Sequence, residues 1–263
     1  MSNASRNTTV LPTRLTRRDW LGFAGKGAVG VVVSQALLGC ATSDLAGATS
    51  DTTSAAGTSS GSGACVLTAS LTEGPYFVDE RLFRSDIRTD PVTGAVSQGV
   101  PLSLAFNVSR LANSACTPLT GAYLDVWHCD AGGRYSDESA NGTSGKKYLR
   151  GYQITDANGV ASFTTVYPGW YHGRAVHVHF KLRLFAGATK TYEFTSQFFF
   201  NESVTSAVHA LSPYASRGTR NTVNTVDGIY NSLTAAEKRA LTLQTTTSGD
   251  GYAGVITLGV QVG

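Results

Sequence analysis

Seven short segments of this chain alternate apolar and polar residues with a period of two, and that alternation most limits what the chain can fold into. They are Leu102–Val108, Ala122–Trp127, Gly151–Thr155, Ala161–Val166, Val176–Leu184, Thr191–Phe200 and Gly254–Val262. Successive side chains of a strand point to opposite faces, so each segment can bury one face and leave the other free. Helical periodicity is confined to Ser203–Leu211 and Thr234–Leu243. Only 15% of residues are charged, while Tyr and Phe number 11 each, a balance that favours pleated surfaces over amphipathic helices. The expectation is an all-β domain, a two-sheet β-sandwich with short helices, with a β-barrel as the second architecture. Asp156-Ala157-Asn158-Gly159 carries an Asn-Gly pair that tolerates positive φ and predicts a hairpin.

The N-terminal region has a different character. Thr16-Arg17-Arg18-Asp19-Trp20-Leu21 sets an arginine pair before a mildly apolar stretch, Leu21 to Leu38, which is too weakly apolar for a membrane span. This resembles a twin-arginine export signal. Leu37-Leu38-Gly39-Cys40 resembles a lipoprotein processing site, with Cys40 lipidated. Residues 41–63 are almost entirely Ser, Thr, Gly and Ala, which bury too little apolar surface to offset ordering entropy. The expected organisation is therefore a signal peptide over 1–39, a flexible tether over 40–63 and a folded domain over 64–263. Localisation would be outside the cytoplasm, on a lipid anchor facing the periplasm or the cell exterior. The formal charge of +3 conceals this division, because residues 1–39 hold five basic groups against Asp19 and leave the remainder at −1. No basic field is left to attract nucleic acid.

With Cys40 assigned to lipid, Cys65, Cys116 and Cys129 remain in an oxidising compartment. Cys116 and Cys129 flank a turn and the strand after it and form the preferred disulfide, worth about 3 kcal/mol for a loop of that size. Cys65 is then the odd thiol, and pairings that involve it stay open.

The segment Tyr167-Pro168-Gly169-Trp170-Tyr171-His172-Gly173-Arg174-Ala175-Val176-His177-Val178-His179-Phe180 carries the chemistry. His177 and His179, two apart on a strand, project from one face, while Val176, Val178 and Phe180 point to the other. Two imidazoles on one face make half of a metal site. Tyr171, on the Pro-Gly turn, and Tyr135, in Gly132-Gly133-Arg134-Tyr135, are placed to supply the other half. A phenolate is a hard anionic donor that suits ferric iron better than zinc or cuprous copper.

Gly-Arg-Tyr, Pro-Gly-Trp-Tyr and Arg-x-x-His-x-His-Phe, in that chain order, resemble the intradiol ring-cleavage dioxygenases, the family of protocatechuate 3,4-dioxygenase and the catechol 1,2-dioxygenases. The resemblance spans roughly residues 65–230. It includes Leu71-Thr72-Glu73-Gly74-Pro75-Tyr76 near the start and Thr195-Ser196-Gln197-Phe198-Phe199-Phe200 near the end. It implies a β-sandwich and a mononuclear non-haem Fe(III) held by Tyr135, Tyr171, His177 and His179. It also implies Arg174 and Gln197 as catalytic residues, Tyr76 and Arg174 as substrate contacts, and O2-dependent cleavage of catechol-type rings to muconate-type diacids. Only His172 and Gly173 separate the second tyrosine from Arg174, and the helical domain of the catechol enzymes is missing, so a shallower pocket is expected. His172 and His209 read as exposed, His128 as structural and Trp127 as packing. Two other readings compete: a zinc or copper enzyme on the same ligands, and a lipid-anchored β-sandwich that binds without catalysis.

Overall fold

Phe106 is fully buried in the core of the folded domain. Its ring lies 5.9 Å from Phe163 of its own sheet, and 5.8 Å and 6.0 Å from Phe180 and Phe198 of the facing one. These rings join two five-stranded sheets in a sandwich. The first contains β1 (Pro101–Ala112), β2 (Ala115–Pro118), β5 (Val160–Val166), β9 (Thr245–Ser248) and β10 (Gly251–Val260). Its order is β2–β1–β10–β9, with β5 also paired to β1. The second runs β4 (Arg150–Ile154), β3 (Tyr123–Trp127), β6 (His177–Ala186), β7 (Thr189–Phe200) and β8 (Thr242–Leu243). Alternation in β1 turns Leu102, Leu104, Phe106 and Val108 into the core, against Val178, Phe180 and Leu182 of β6.

This computed structural model describes residues 66–113 and 115–262, all within the unit Ser59–Gly263. The predicted signal, the tether, Cys40 and Cys65 lie outside the described residues. No helix among the described residues is long and apolar enough to cross a membrane. At the start of the described chain, Leu67 bridges in parallel to Gly259 of β10. The Thr68 amide donates to the Gly259 carbonyl at 2.8 Å, and the Gly259 amide returns a bond to the Thr68 hydroxyl at 3.0 Å.

All seven predicted strands are present with shifted ends. β2, β8 and β9 were not predicted, because runs of two to four residues are too short to show alternation. Among the described residues there are three α-helices: α1 (Glu202–His209), α2 (Gly228–Ser232) and α3 (Ala235–Leu241). The predicted helix over Thr234–Leu243 begins with a capping box between Thr234 and Glu237 but stops early, since Thr242 and Leu243 pair with Phe199 and Phe200 instead. The Asp156–Gly159 turn forms, yet it does not close a hairpin. β4 pairs with β3 and β5 with β1, so the turn carries the chain from one sheet to the other. The Asp156 carboxylate stabilises it by accepting from the amides of Asn158 and Val160 at 2.9 Å and 2.8 Å.

The cysteine expectation is corrected. Cys116 is disulfide-bonded, but Cys129 is a free, buried thiol, so the two are not partners. Between them the chain crosses from the edge of one sheet (β2) through β3 of the other, and Cys129 ends up facing the Gly169 carbonyl at 3.5 Å. His209 is also corrected: it is buried, with Nε2 donating to the Pro168 carbonyl at 3.0 Å and its ring stacked on Tyr214. It lies on the inward side of α1 with Thr205 and Val208.

β6 is buried on both faces from His177 to Arg183. One face, Val178, Phe180 and Leu182, is core. The other, His177, His179, Lys181 and Arg183, lies under residues 71–84, a strap laid across the second sheet. The strap is held through Glu73 to Lys181, through Asp79 to Arg183 at 2.8 Å, and by Arg84 donating to the carbonyls of Lys147 and Arg150.

His128 ties the two sheets together just after β3. Its Nδ1 faces the Cys129 carbonyl at 2.8 Å, so Nδ1 carries the proton and Nε2 accepts from the Thr165 hydroxyl of β5 at 2.7 Å. Burial disfavours the imidazolium and lowers its pKa from 6.5 to about 4. The unfolded chain therefore takes up the proton first, and stability present above pH 6.5 is lost as the pH falls toward 4. This group contributes up to about 3 kcal/mol to that loss. Urea unfolding across this window should show the decline, and His128→Gln should flatten it; an unchanged slope in the variant would remove His128 from this role.

Candidate metal centre

One rung of the second sheet forms the floor of the site. Strand register aligns Arg150 of β4 with Trp127 of β3, Trp127 with His179 of β6, and His179 with Gln197 of β7. Directly opposed residues share a face, so all four side chains project to the side covered by the strap. His177 stands one step earlier on the same face.

Two loops bring the tyrosines to this floor. The Asp130–Arg134 turn delivers Tyr135 and the irregular segment Tyr167–Trp170 delivers Tyr171, and the loops press together backbone to backbone. A Cβ on Gly133, whose φ is +79°, would lie 2.1 Å from the Trp170 carbonyl oxygen; one on Gly169 would lie 2.4 Å from that of Ala131. Glycine is what permits that approach. The Gly169 amide then donates to the Asp130 carbonyl at 3.1 Å.

The four predicted ligands converge. Around Nε2 of His177 lie the Tyr171 hydroxyl at 3.1 Å, the Tyr135 hydroxyl at 3.4 Å and Nε2 of His179 at 3.1 Å. Nδ1 of His177 sits 2.6 Å from the Ala175 carbonyl and so holds its proton, leaving Nε2 with a lone pair directed into the cluster. One lone pair accepts one proton, yet three heteroatoms crowd it. A cation at the centre would engage all four side chains at once, so the residues fit a metal. Among the described residues no group of three His, Cys, Asp or Glu could hold one, so any metal here depends on the phenols.

The electrostatics agree. Burial, then the nearby Arg174 charge, lowers the His177 pKa to about 3, and burial with His177 and Arg174 holds His179 well below its usual range. Both imidazoles are neutral and available as donors. Burial raises both phenols, with the neighbouring Tyr171 adding to the effect on Tyr135 and Arg174 opposing it on Tyr171. A phenol so placed ionises only against a strong positive charge.

Arg174 reaches the site between two supports. Its Nε donates to Asp227 at 2.8 Å and Nη2 to the Gln197 carbonyl oxygen at 2.6 Å, while Gln197 donates to the Thr72 carbonyl at 2.7 Å. Asp227 is fully buried and also accepts from the amides of Ala175, Ile229 and Tyr230, capping α2. Burial resists its ionisation, but these bonds and Arg174 outweigh that and hold its carboxyl below the usual range. Tyr76, from the strap, stacks on Tyr135 at 4.3 Å and meets Tyr171 edge-on at 6.1 Å.

Tyr76, Tyr135, Tyr171, Arg174, His177, His179 and Gln197 thus come together, and His172 is exposed. Asp227 was not anticipated, because a lone Asp before a five-residue helix gives no signal beyond a cap. Trp127 does more than pack: it stacks on the His179 ring at 4.9 Å and 7°, and that ring's Nδ1 has no hydrogen-bond partner among the described residues.

A family model described as Dioxygenase matches residues 72–222. Among solved structures, the chain is similar to an intradiol ring-cleavage dioxygenase from Tetranychus urticae, with 26% identity over 75% of this chain and 95% of that one and a TM-score of 0.63. It is also similar to the dioxygenase domain of a dioxygenase–carbohydrate-binding protein fusion from Streptomyces sp. SirexAA-E, at 26% identity over 75% and 100% and a TM-score of 0.53. Hydroxyquinol 1,2-dioxygenase from Pseudomonas putida DLL-E4, at 16% identity over 75% and 67% and a TM-score of 0.51, shares the fold. No curated protein matches the chain.

Gly169→Ala should force the two tyrosine loops apart and cost about 1–3 kcal/mol of unfolding free energy, as overpacking does. Denaturant unfolding measures this, and an unchanged midpoint would contradict the close approach of the loops.

Proposed function

The chain belongs to the dioxygenase family, as an intradiol ring-cleaving enzyme, and from that premise we propose that it opens catechol-type rings with O2 at a non-haem Fe(III). The observation that carries this is the convergence of two phenols and two neutral imidazoles on one point. Tyr135, Tyr171, His177 and His179 would hold the ion. When bound, ferric iron supplies Lewis acidity that favours the catechol dianion and its reaction with O2. Zinc suits the site less well, since its usual donors are Cys, His and carboxylate.

The chain's own residues supply the rest. Tyr135 is 1% exposed and fixed under Tyr76, whereas Tyr171 is only partly buried. Tyr171 is therefore the phenol with room to move, and, once ionised by the bound metal, its Oη would accept one catechol proton as it leaves. Nε and Nη2 of Arg174 are committed to Asp227 and Gln197, which aims the rest of the guanidinium at the ring as negative charge builds there. Tyr76 forms an aromatic wall against which a flat ring can lie. The product is a muconate-type diacid.

We further place the enzyme outside the cytoplasm, exported by the twin-arginine route and lipid-anchored at Cys40. The order of Arg17-Arg18, the apolar stretch and Leu37-Leu38-Gly39-Cys40 supports this, and so does a disulfide at Cys116.

Purified protein loaded with iron should show a broad visible tyrosinate-to-iron band that moves to longer wavelength when catechol is added without oxygen. Tyr135→Phe should weaken the band and abolish turnover. A colourless iron-loaded protein, or full activity in Tyr135→Phe, would overturn the assignment.

A further inference from the structure

Arg150 stands at the far end of the rung that bears His179, and none of the roles above uses it. It is 3% exposed, and its surroundings are unusual for a buried cation. The other cations on this face have carboxylates: Lys181 has Glu73 and Glu193, and Arg183 has Asp79 and Asp125. Arg150 has none among the ion pairs of the described residues. Its three hydrogen bonds all end on neutral oxygens. Nε donates to the Ser136 hydroxyl at 2.7 Å, Nη2 to the Ser136 carbonyl at 2.6 Å and Nη1 to the Tyr76 carbonyl at 2.5 Å.

A buried charge with no carboxylate in contact is costly, and three neutral acceptors compensate it only in part. The acceptors themselves are informative. Ser136 follows Tyr135 directly, and Tyr76 is the ring stacked on Tyr135. One planar guanidinium thus grips the backbone of the loop that presents a ligand phenol and the backbone of the strap that roofs it. Arg suits this task because its fork reaches several acceptors in fixed directions, which an ammonium cannot do.

We propose that Arg150 is a positioning residue that locks the loop presenting Tyr135 to the strap that carries Tyr76. This rests on the ferric reading of the site and deepens it. Arg150 touches neither metal nor substrate; it acts through Tyr135 and Tyr76. Losing the guanidinium should free the Tyr135 loop and so loosen the metal, and replacing its fork by a single ammonium should loosen mainly the Tyr76 wall.

The test compares the full chain, iron-loaded, with Arg150→Gln and Arg150→Lys by visible spectrum, iron loss to a chelator, and kcat and KM for catechol. Arg150→Gln should show a weaker tyrosinate band and bind iron about 10- to 100-fold less tightly, the usual effect of removing a partner behind a metal ligand. Arg150→Lys should keep most of the band and raise KM more than it lowers kcat. Folded Arg150→Gln with the wild-type band, iron retention and KM would overturn the proposal. If Arg150→Gln does not fold, Arg150→Lys decides, and wild-type KM there would equally overturn it. A wild-type chain that shows no band after iron loading would instead sink the ferric reading, and the effect of Arg150 on the metal with it.

Discussion

β6 is covered on both faces, and one of those faces is polar. A strand between an apolar core and a solvated surface can leave its polar row to water, but this one cannot. His177, His179, Lys181 and Arg183 must each find partners within the protein. Lys181 and Arg183 do so with carboxylates from the strap and from neighbouring strands. The two histidines do so with each other and with two phenols. The strap, the tyrosine loops and the rung across the sheet can all be understood as answers to that one requirement.

The two halves of the cluster are not equivalent. His177 is oriented by a hydrogen bond to the Ala175 carbonyl, while His179 is held by the flat face of Trp127. Tyr135 is sealed beneath Tyr76, while Tyr171 lies toward the outside. Both imidazoles are therefore fixed, and only the tyrosine pair has a sealed member and a more open one.

The strands and the predicted cluster were legible in the sequence because local periodicity and motif order encode them. Val178 and Phe180 face the core, and His177 and His179 the opposite side, as a period of two requires. What stayed hidden depended on partners distant in the chain. Asn158-Gly159 announces a turn, but only the pairing of β5 with β1 decides that it crosses between sheets. Cys116 and Cys129 are close in sequence and yet belong to different layers. Asp227 and Arg150 are ordinary residues until the fold brings one against Arg174 and the other against Ser136 and Tyr76. His209 read as surface because eight residues of α1 do not reveal which side meets the sandwich.

The attachment of Thr68 to Gly259 has a mechanical consequence. Chain arriving from the N-terminal side enters parallel to β10, so a pull directed back along it loads those bonds in shear. Force transmitted from that direction is taken up by β10 and its nine-residue register with β1 before it can reach the strap at Glu73 and Tyr76. Tension on the leading segment therefore meets these two bonds before it meets the strap that carries the aromatic roof.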